Sequence, residues 1–154
     1  MSDGTTSVNR LAARPTTYNG VEMRSRLEAR YAAWLDKNRL SWSYEPRAFA
    51  GAAGQYLPDF QLEGVIILGA PQTVYVDVKP TDQDVTLGLV GRMSVIWDSD
   101  PIAWLAVEVP GSNPILITPP AFGHTMKGRY VWAPTAPDMA MGLHPYQRPS
   151  WWSH

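Results

Sequence analysis

The seven residues Thr73 to Lys79 constrain the fold of this chain more than any others. Val74, Val76 and Val78 alternate with Tyr75, Asp77 and Lys79, and successive strand side chains point to opposite faces. The valines therefore point one way and the other three the opposite way. Asp77 and Lys79 sit about 7 Å apart along one face, so a carboxylate and an ammonium look into the same space. With 154 residues the chain can bury one core and is too short for two ordinary domains.

Upstream, Tyr18-Asn19-Gly20-Val21-Glu22-Met23 predicts a helix start, with Asn19 as N-cap, Glu22 as capping-box partner and Tyr18 stapled onto Met23. The helix is expected to run to about Asn38. At about 100° per residue, Met23, Leu27, Tyr31, Trp34 and Leu35 share one arc, with Glu28 on its edge and therefore off the wet face that carries Asp36. Leu40 to Tyr44 alternates like a half-buried strand that Glu45-Pro46 ends. The stretch Phe49 to Gly54 predicts a flexible turn, Tyr56 to Leu62 a second strand, Glu63-Gly64 a turn, and Thr73 to Lys79 a third strand. Thr81 with Asp84 opens a second helix, weakened by Gly88 and Gly91, with Val85, Leu89, Met93 and Ile96 on one stripe. Ile102 to Val109 and Ile115 to Thr118 read as further strands. From Pro119 onward the chain is rich in Pro, Gly, Met and Trp without periodicity, and Tyr130-Val131-Trp132 is its one strand-like fragment. The order predicts an α+β domain with a mixed sheet. A flexible segment is expected over residues 1–17, the core over 18–118 and an irregular extension over 119–154.

The absence of cysteine excludes disulfides, zinc–thiolate sites, iron–sulfur clusters and cysteine nucleophiles. Residues 1–17 are polar, with Arg10 and Arg14, and no stretch approaches the roughly 20 apolar residues that span a bilayer, so the expectation is a soluble, cytoplasmic protein without a membrane partner. The net charge of −1 excludes a histone-like basic sheath, but the charge is unevenly placed. Residues 10–47 hold Arg10, Arg14, Arg24, Arg26, Arg30, Lys37, Arg39 and Arg47 against Glu22, Glu28, Asp36 and Glu45, whereas residues 48–100 hold Lys79 and Arg92 against seven acids. A basic front end beside an acidic centre suits a protein that grips phosphates with one part and a metal ion with the other.

Asp59 follows Pro58 near the start or middle of the second strand, from where antiparallel pairing could bring it opposite Asp77. Two carboxylates forced together repel unless a divalent cation or a shared proton relieves them. Mg²⁺ takes oxygen ligands and keeps several waters, which Asp59, Asp77 and the Val78 backbone carbonyl satisfy. Phosphodiester hydrolysis needs a nucleophilic water, relief of phosphoryl charge and help for the departing oxygen. A metal at Asp59 and Asp77 meets the first two needs, Lys79 can orient the water or stabilise developing charge, and Glu28 can hold an outer water or a second ion. Arg24, Arg26 and Arg30 of the first helix would grip phosphates, with Lys127 and Arg129 of the Gly-His124-Thr-Met-Lys-Gly-Arg loop as further nucleic-acid contacts.

Read together, Arg-Ser-Arg-Leu-Glu28-Ala-Arg, Tyr-Glu-Pro, Tyr-Leu-Pro58-Asp59-Phe and Val-Asp77-Val-Lys79 resemble the PD-(D/E)xK nuclease superfamily, particularly its small phage and actinobacterial members. The resemblance spans about residues 18 to 80, plus the order of elements to about 118. It implies a central four-stranded mixed sheet flanked by helices, a restriction-endonuclease-like core, Mg²⁺ or Mn²⁺ as cofactor, DNA as substrate and 5′-phosphate products, with a homodimer as one way to meet two strands. Pro80, directly after Lys79, departs from the Gly or small polar residue of many members.

Structural roles are also available to these residues. Glu28 can pair with Arg24 one turn before it, Asp59 can cap a turn after Pro58, and Asp77 with Lys79 can be a surface ion pair of little energy. Glu45 reads as an edge ion pair. His144 and His154 fit no metal spacing, and Trp151 and Trp152 suit docking on the protein's own core as well as stacking on bases. The competing function is a catalytically silent nucleic-acid-binding or assembly module on the same fold, and a third is a plain structural protein.

Overall fold

An Asn-Gly pair between two short extended segments specifies a tight hairpin turn, because both residues tolerate positive φ. Asn19 (φ 51°) and Gly20 (φ 80°) adopt that conformation. They join β1 (Thr16–Tyr18) to β2 (Val21–Met23), with Tyr18 opposite Val21. The expected helix start at Asn19 is thus corrected: the pair closes a hairpin, and α1 (Arg26–Lys37) begins after Ser25. Ser25 Oγ accepts from the Glu28 N–H at 3.1 Å, which places Glu28 at the third helical position. The computed structural model describes residues 14–67, 69–110 and 115–120 and the backbone of Tyr130–Trp132.

The apolar arc of α1 behaves as its spacing predicts. Tyr31, Trp34 and Leu35 are buried and Leu27 is partly so, each full burial being worth roughly 1.5–3 kcal/mol. Met23 is equally buried, but from β2. On the wet face Asp36 accepts from the Tyr18 hydroxyl at 2.7 Å and the Trp42 indole at 2.8 Å, fastening the hairpin and the next strand to the last turn of the helix.

Among the described residues six strands, rather than the expected four, form the main sheet. β3 (Ser41–Tyr44), β6 (Phe60–Ile67), β7 (Ala70–Val78), β8 (Trp104–Glu108), β9 (Ile115–Ile117) and β10 (Tyr130–Trp132) lie in the order β10-β9-β8-β7-β6-β3. The β7–β8 pair is parallel and the others are antiparallel, so the fold is a mixed α+β arrangement. β10 is the Tyr130-Val131-Trp132 fragment that reads as strand-like within the stretch otherwise expected to be irregular. The supposed flexible turn is a second hairpin, β4 (Phe49–Gly51) and β5 (Gly54–Tyr56), with Phe49 opposite Tyr56. Glu63-Gly64 does not end its strand either. Gly64 (φ 70°) makes a bulge between Leu62 and Val65, and the chain turns later, at Gly69 (φ 80°).

Between the parallel strands the expected second helix is divided. Asp84 Oδ2 accepts from both the N–H and the hydroxyl of Thr81 around a short 3₁₀ turn (Asp82–Asp84). The backbone becomes extended at Val85, and Thr86 caps a fresh start by accepting from the Leu89 N–H. α2 (Leu87–Met93) and α3 (Ile96–Ser99) follow, with Leu89, Met93 and Ile96 buried as their stripe predicts. Two cores result. α1 and the first hairpin cover Val74, Val76, Val78, Trp104 and Ala106, while α2, α3 and the second hairpin cover Tyr75, Leu105 and Val107. No helix among the described residues is long and apolar enough to cross a membrane.

Candidate functional site

β7 carries Asp77, and Lys79 follows directly after its last residue, Val78. Asp77 is buried at 4 % exposure. Its Oδ2 accepts from the Tyr56 hydroxyl at 2.5 Å, and the Lys79 ammonium lies 3.1 Å from Oδ1. That ion pair lacks hydrogen-bond alignment, so Oδ1 is a buried carboxylate oxygen with no hydrogen-bond donor. Lys79 is held in place from behind, since its N–H donates to the Glu108 carbonyl at 2.9 Å.

Asp59 reaches the same end of β7 from the bend that precedes β6. Phe60 lies opposite Val76 and the Asp59 N–H donates to the Val76 carbonyl at 3.0 Å, so the register brings Asp59 beside Asp77. Past Phe60 the ladder ends, and the Asp59 carboxylate supplies the next acceptor itself: Oδ2 takes the Val78 N–H at 2.7 Å. Phe60 anchors this position, being fully buried with the rings of Tyr31, Trp42 and Tyr44 edge-on at 5.2, 5.6 and 5.4 Å. The other oxygen, Oδ1, meets Arg24 Nη2 at 3.1 Å. Burial first, then the charges of Asp77 and Glu28, push the Asp59 carboxyl well above the usual carboxylate range, against the pull of the Val78 N–H and Arg24.

Glu28 enters from α1 and is 7 % exposed. Its Oε1 accepts from the Tyr44 hydroxyl at 2.7 Å, and that hydroxyl accepts from the Arg24 N–H at 2.9 Å. Burial and the Glu28 carboxylate hold the Tyr44 phenol in its protonated, donating form. Arg24 does not pair with Glu28 along a helix, because it precedes α1. Its Nε instead meets Glu45 Oε2 at 2.7 Å while Nη2 meets Asp59, so the expected edge ion pair of Glu45 is present and includes a site residue.

Asp59, Asp77 and Lys79 are therefore together, and Glu28 is near enough to bear on the charge of Asp59. Arg26 and Arg30 are exposed on α1. Lys127, Arg129, His124, His144, His154, Trp151 and Trp152 lie outside the described residues. Among the described residues no group of three or more His, Asp or Glu side chains is arranged to hold a metal ion. The donor set that does fit a hard cation is the aspartate pair, with its buried, donor-free Oδ1 of Asp77, and Mg²⁺ is commonly held by one or two carboxylates plus waters.

Sequence reasoning missed three participants. Tyr56 and Tyr44 each fix one oxygen of a site carboxylate, and Glu108, fully buried and accepting from the Tyr31 hydroxyl at 3.2 Å, backs the strand that carries Lys79. The available signals were the position of Tyr56 three residues before Asp59 and an acid inside the apolar run of β8. Compared with protein-family models, curated proteins and solved structures, the chain matches none.

Proposed function

We propose that this protein is a metal-dependent DNA endonuclease with a restriction-endonuclease-like, PD-(D/E)xK core that hydrolyses phosphodiester bonds to leave 5′ phosphates. One observation carries the reading: each of the three carboxylates has one oxygen fixed by a donor from the protein body. Tyr44 fixes Glu28, the Val78 N–H fixes Asp59 and Tyr56 fixes Asp77. The second oxygen of Asp59 and of Asp77 faces a partly exposed cationic side chain, Arg24 or Lys79. Such carboxylates are oriented, as ligands for a hard cation need to be.

Asp59 and Asp77 would hold Mg²⁺ or Mn²⁺, with the Val78 carbonyl as a further oxygen donor. The bound ion would supply a water of lowered pKa and draw charge from the phosphoryl oxygens. Lys79, kept beside Asp77, orients that water or stabilises the charge developing on the phosphate. Glu28, turned inward by Tyr44, accepts a hydrogen bond from an outer water. Arg26 and Arg30 offer exposed guanidiniums to the DNA backbone. Incubation of the purified protein with supercoiled and linear DNA in Mg²⁺, Mn²⁺ or EDTA tests the reading. Metal-dependent nicking is the expected result, and cleavage that proceeds equally in EDTA overturns it.

A second reading has a specific support. Arg24 and Lys79 compensate part of the acidic charge from within the chain, as suits a nucleic-acid-binding or assembly module with no turnover. DNA binding without cleavage under any metal condition would favour it.

A further inference from the structure

Tyr56 belongs to the second hairpin, outside the main sheet, yet its hydroxyl ends on a site residue. The ring is buried at 7 % exposure in the core formed with Phe49, Leu89, Met93 and Ile96. Its hydroxyl donates to Asp77 Oδ2 at 2.5 Å. A carboxylate turns readily about its Cβ–Cγ bond, because that torsion is broad and roughly two-fold. Fixing Oδ2 therefore fixes Oδ1 as well, and Oδ1 is the buried oxygen with no hydrogen-bond donor, 3.1 Å from the Lys79 ammonium. The chemistry of the donor matters as much as its place. A phenol has one proton to give and no charge, so it orients the carboxylate and leaves its negative charge for another partner. An Arg or Lys at position 56 would orient it and cancel that charge together.

We propose that Tyr56 is a positioning residue for the cation site: it locks the Asp77 carboxylate so that Oδ1 is the oxygen presented to the metal ion. The inference rests on the cation reading given under Proposed function. Hydrogen-bond partners of metal ligands commonly change metal affinity or activity by about 10–100-fold when removed. Tyr56→Phe keeps the ring and removes the one bond. Phe49→Leu loosens the same hairpin at the opposite register position and keeps the hydroxyl.

The test is Mn²⁺ binding to the full-length protein, followed by calorimetry or by the spin resonance of free Mn²⁺, with melting curves in EDTA for each variant. Tyr56→Phe is expected to bind Mn²⁺ about 10–100-fold more weakly, with little change in its EDTA melting temperature. The Mn²⁺ concentration for half-maximal cleavage should rise by the same factor, with the rate recovering at saturating Mn²⁺. Phe49→Leu is expected to melt earlier and keep wild-type affinity. Unchanged Mn²⁺ affinity in Tyr56→Phe, beside a wild type that binds and cleaves, overturns the role of Tyr56 alone. Equal weakening by Phe49→Leu also overturns it, since hairpin packing would then explain both. A wild type with no saturable Mn²⁺ binding overturns the cation reading and this inference with it.

Discussion

Replacing Asp59 or Asp77 with asparagine separates a site held together against its own repulsion from an ordinary structural ion pair. At an effective dielectric of about 20, two carboxylates held side by side repel by about 3 kcal/mol, and either substitution removes that term. The losses are smaller. In Asp59→Asn the amide oxygen can still accept from the Val78 N–H, giving up only the charge assistance of a bond now 2.7 Å long, about 1 kcal/mol. The new amide would face Arg24, whose side chain is 62 % exposed and keeps Glu45, so that pair costs at most about 1 kcal/mol. The balance predicts metal-free stability unchanged or raised by up to about 2 kcal/mol, a shift of zero to about 8 °C in melting temperature for a chain of this size. The pH dependence has a definite sign. Asp59 has a raised folded carboxyl pKa, so its contribution is full below the ordinary carboxylate pKa near 4 and is lost as pH rises through the folded value. In EDTA the Asp59→Asn protein should therefore gain on the wild type as pH rises. With Mg²⁺ the order should reverse, because an ion at 100 times its Kd adds about 2.7 kcal/mol and only the wild type binds it well. Melts in EDTA and in Mg²⁺ at several pH values, beside a plasmid-nicking assay, read all of this. Asparagine variants that lose more than about 2 kcal/mol in EDTA and still cleave would show that the two aspartates are structural.

Lys79→Ala should lose cleavage and also some stability in EDTA, since it removes the ammonium 3.1 Å from a buried carboxylate oxygen; a melt unchanged from wild type would remove Lys79 from the balance. Mg²⁺ and Mn²⁺ should support cleavage while Ca²⁺ supports DNA binding with little turnover, because Ca²⁺ takes a larger, looser shell and polarises water less. Arg26→Ala with Arg30→Ala should weaken DNA binding and lower the slope of log K against log salt by about one for each phosphate no longer neutralised. An unchanged slope would make this face of α1 a solvated one.

The fold was legible wherever one physical demand decided the matter and illegible where two fitted the same residues. The alternation of Val74, Val76 and Val78 has a single solution and identified β7, although the strand begins at Ala70 and ends at Val78 rather than running from Thr73 to Lys79. Asn19 suits an N-cap as well as the first position of a left-handed turn, and the neighbouring Gly20, with its positive φ, decides for the hairpin. Gly64 suits a turn or a bulge. What decides is the alternation beyond it, where Val65 and Ile67 are buried and Ile66 is exposed, so the strand continues. Thr81 and Thr86 are both competent caps, and two caps five residues apart divide one apparent helix into separate pieces.

At the site, Asp59, Asp77 and Lys79 were legible because a strand's period and one antiparallel register bring them together. Their partners were not, because Tyr44 and Tyr56 reach Glu28 and Asp77 through space, 16 and 21 residues away in sequence. The misplaced helix start had a chemical consequence as well. Beginning α1 at Arg26 takes Arg24 out of the helix, so it meets Glu45 and Asp59 and becomes part of the site's charge balance. That balance is incomplete. Glu28, Glu45, Asp59 and Asp77 are four acids, and the cations paired with them are Arg24 and Lys79, which leaves two negative charges. Burial, and then the charges of Asp77 and Glu28, make Asp59 hold its proton more tightly than a carboxyl ordinarily does. A proton relieves one charge and a divalent cation relieves two, which is the electrostatic ground for the cation reading proposed above.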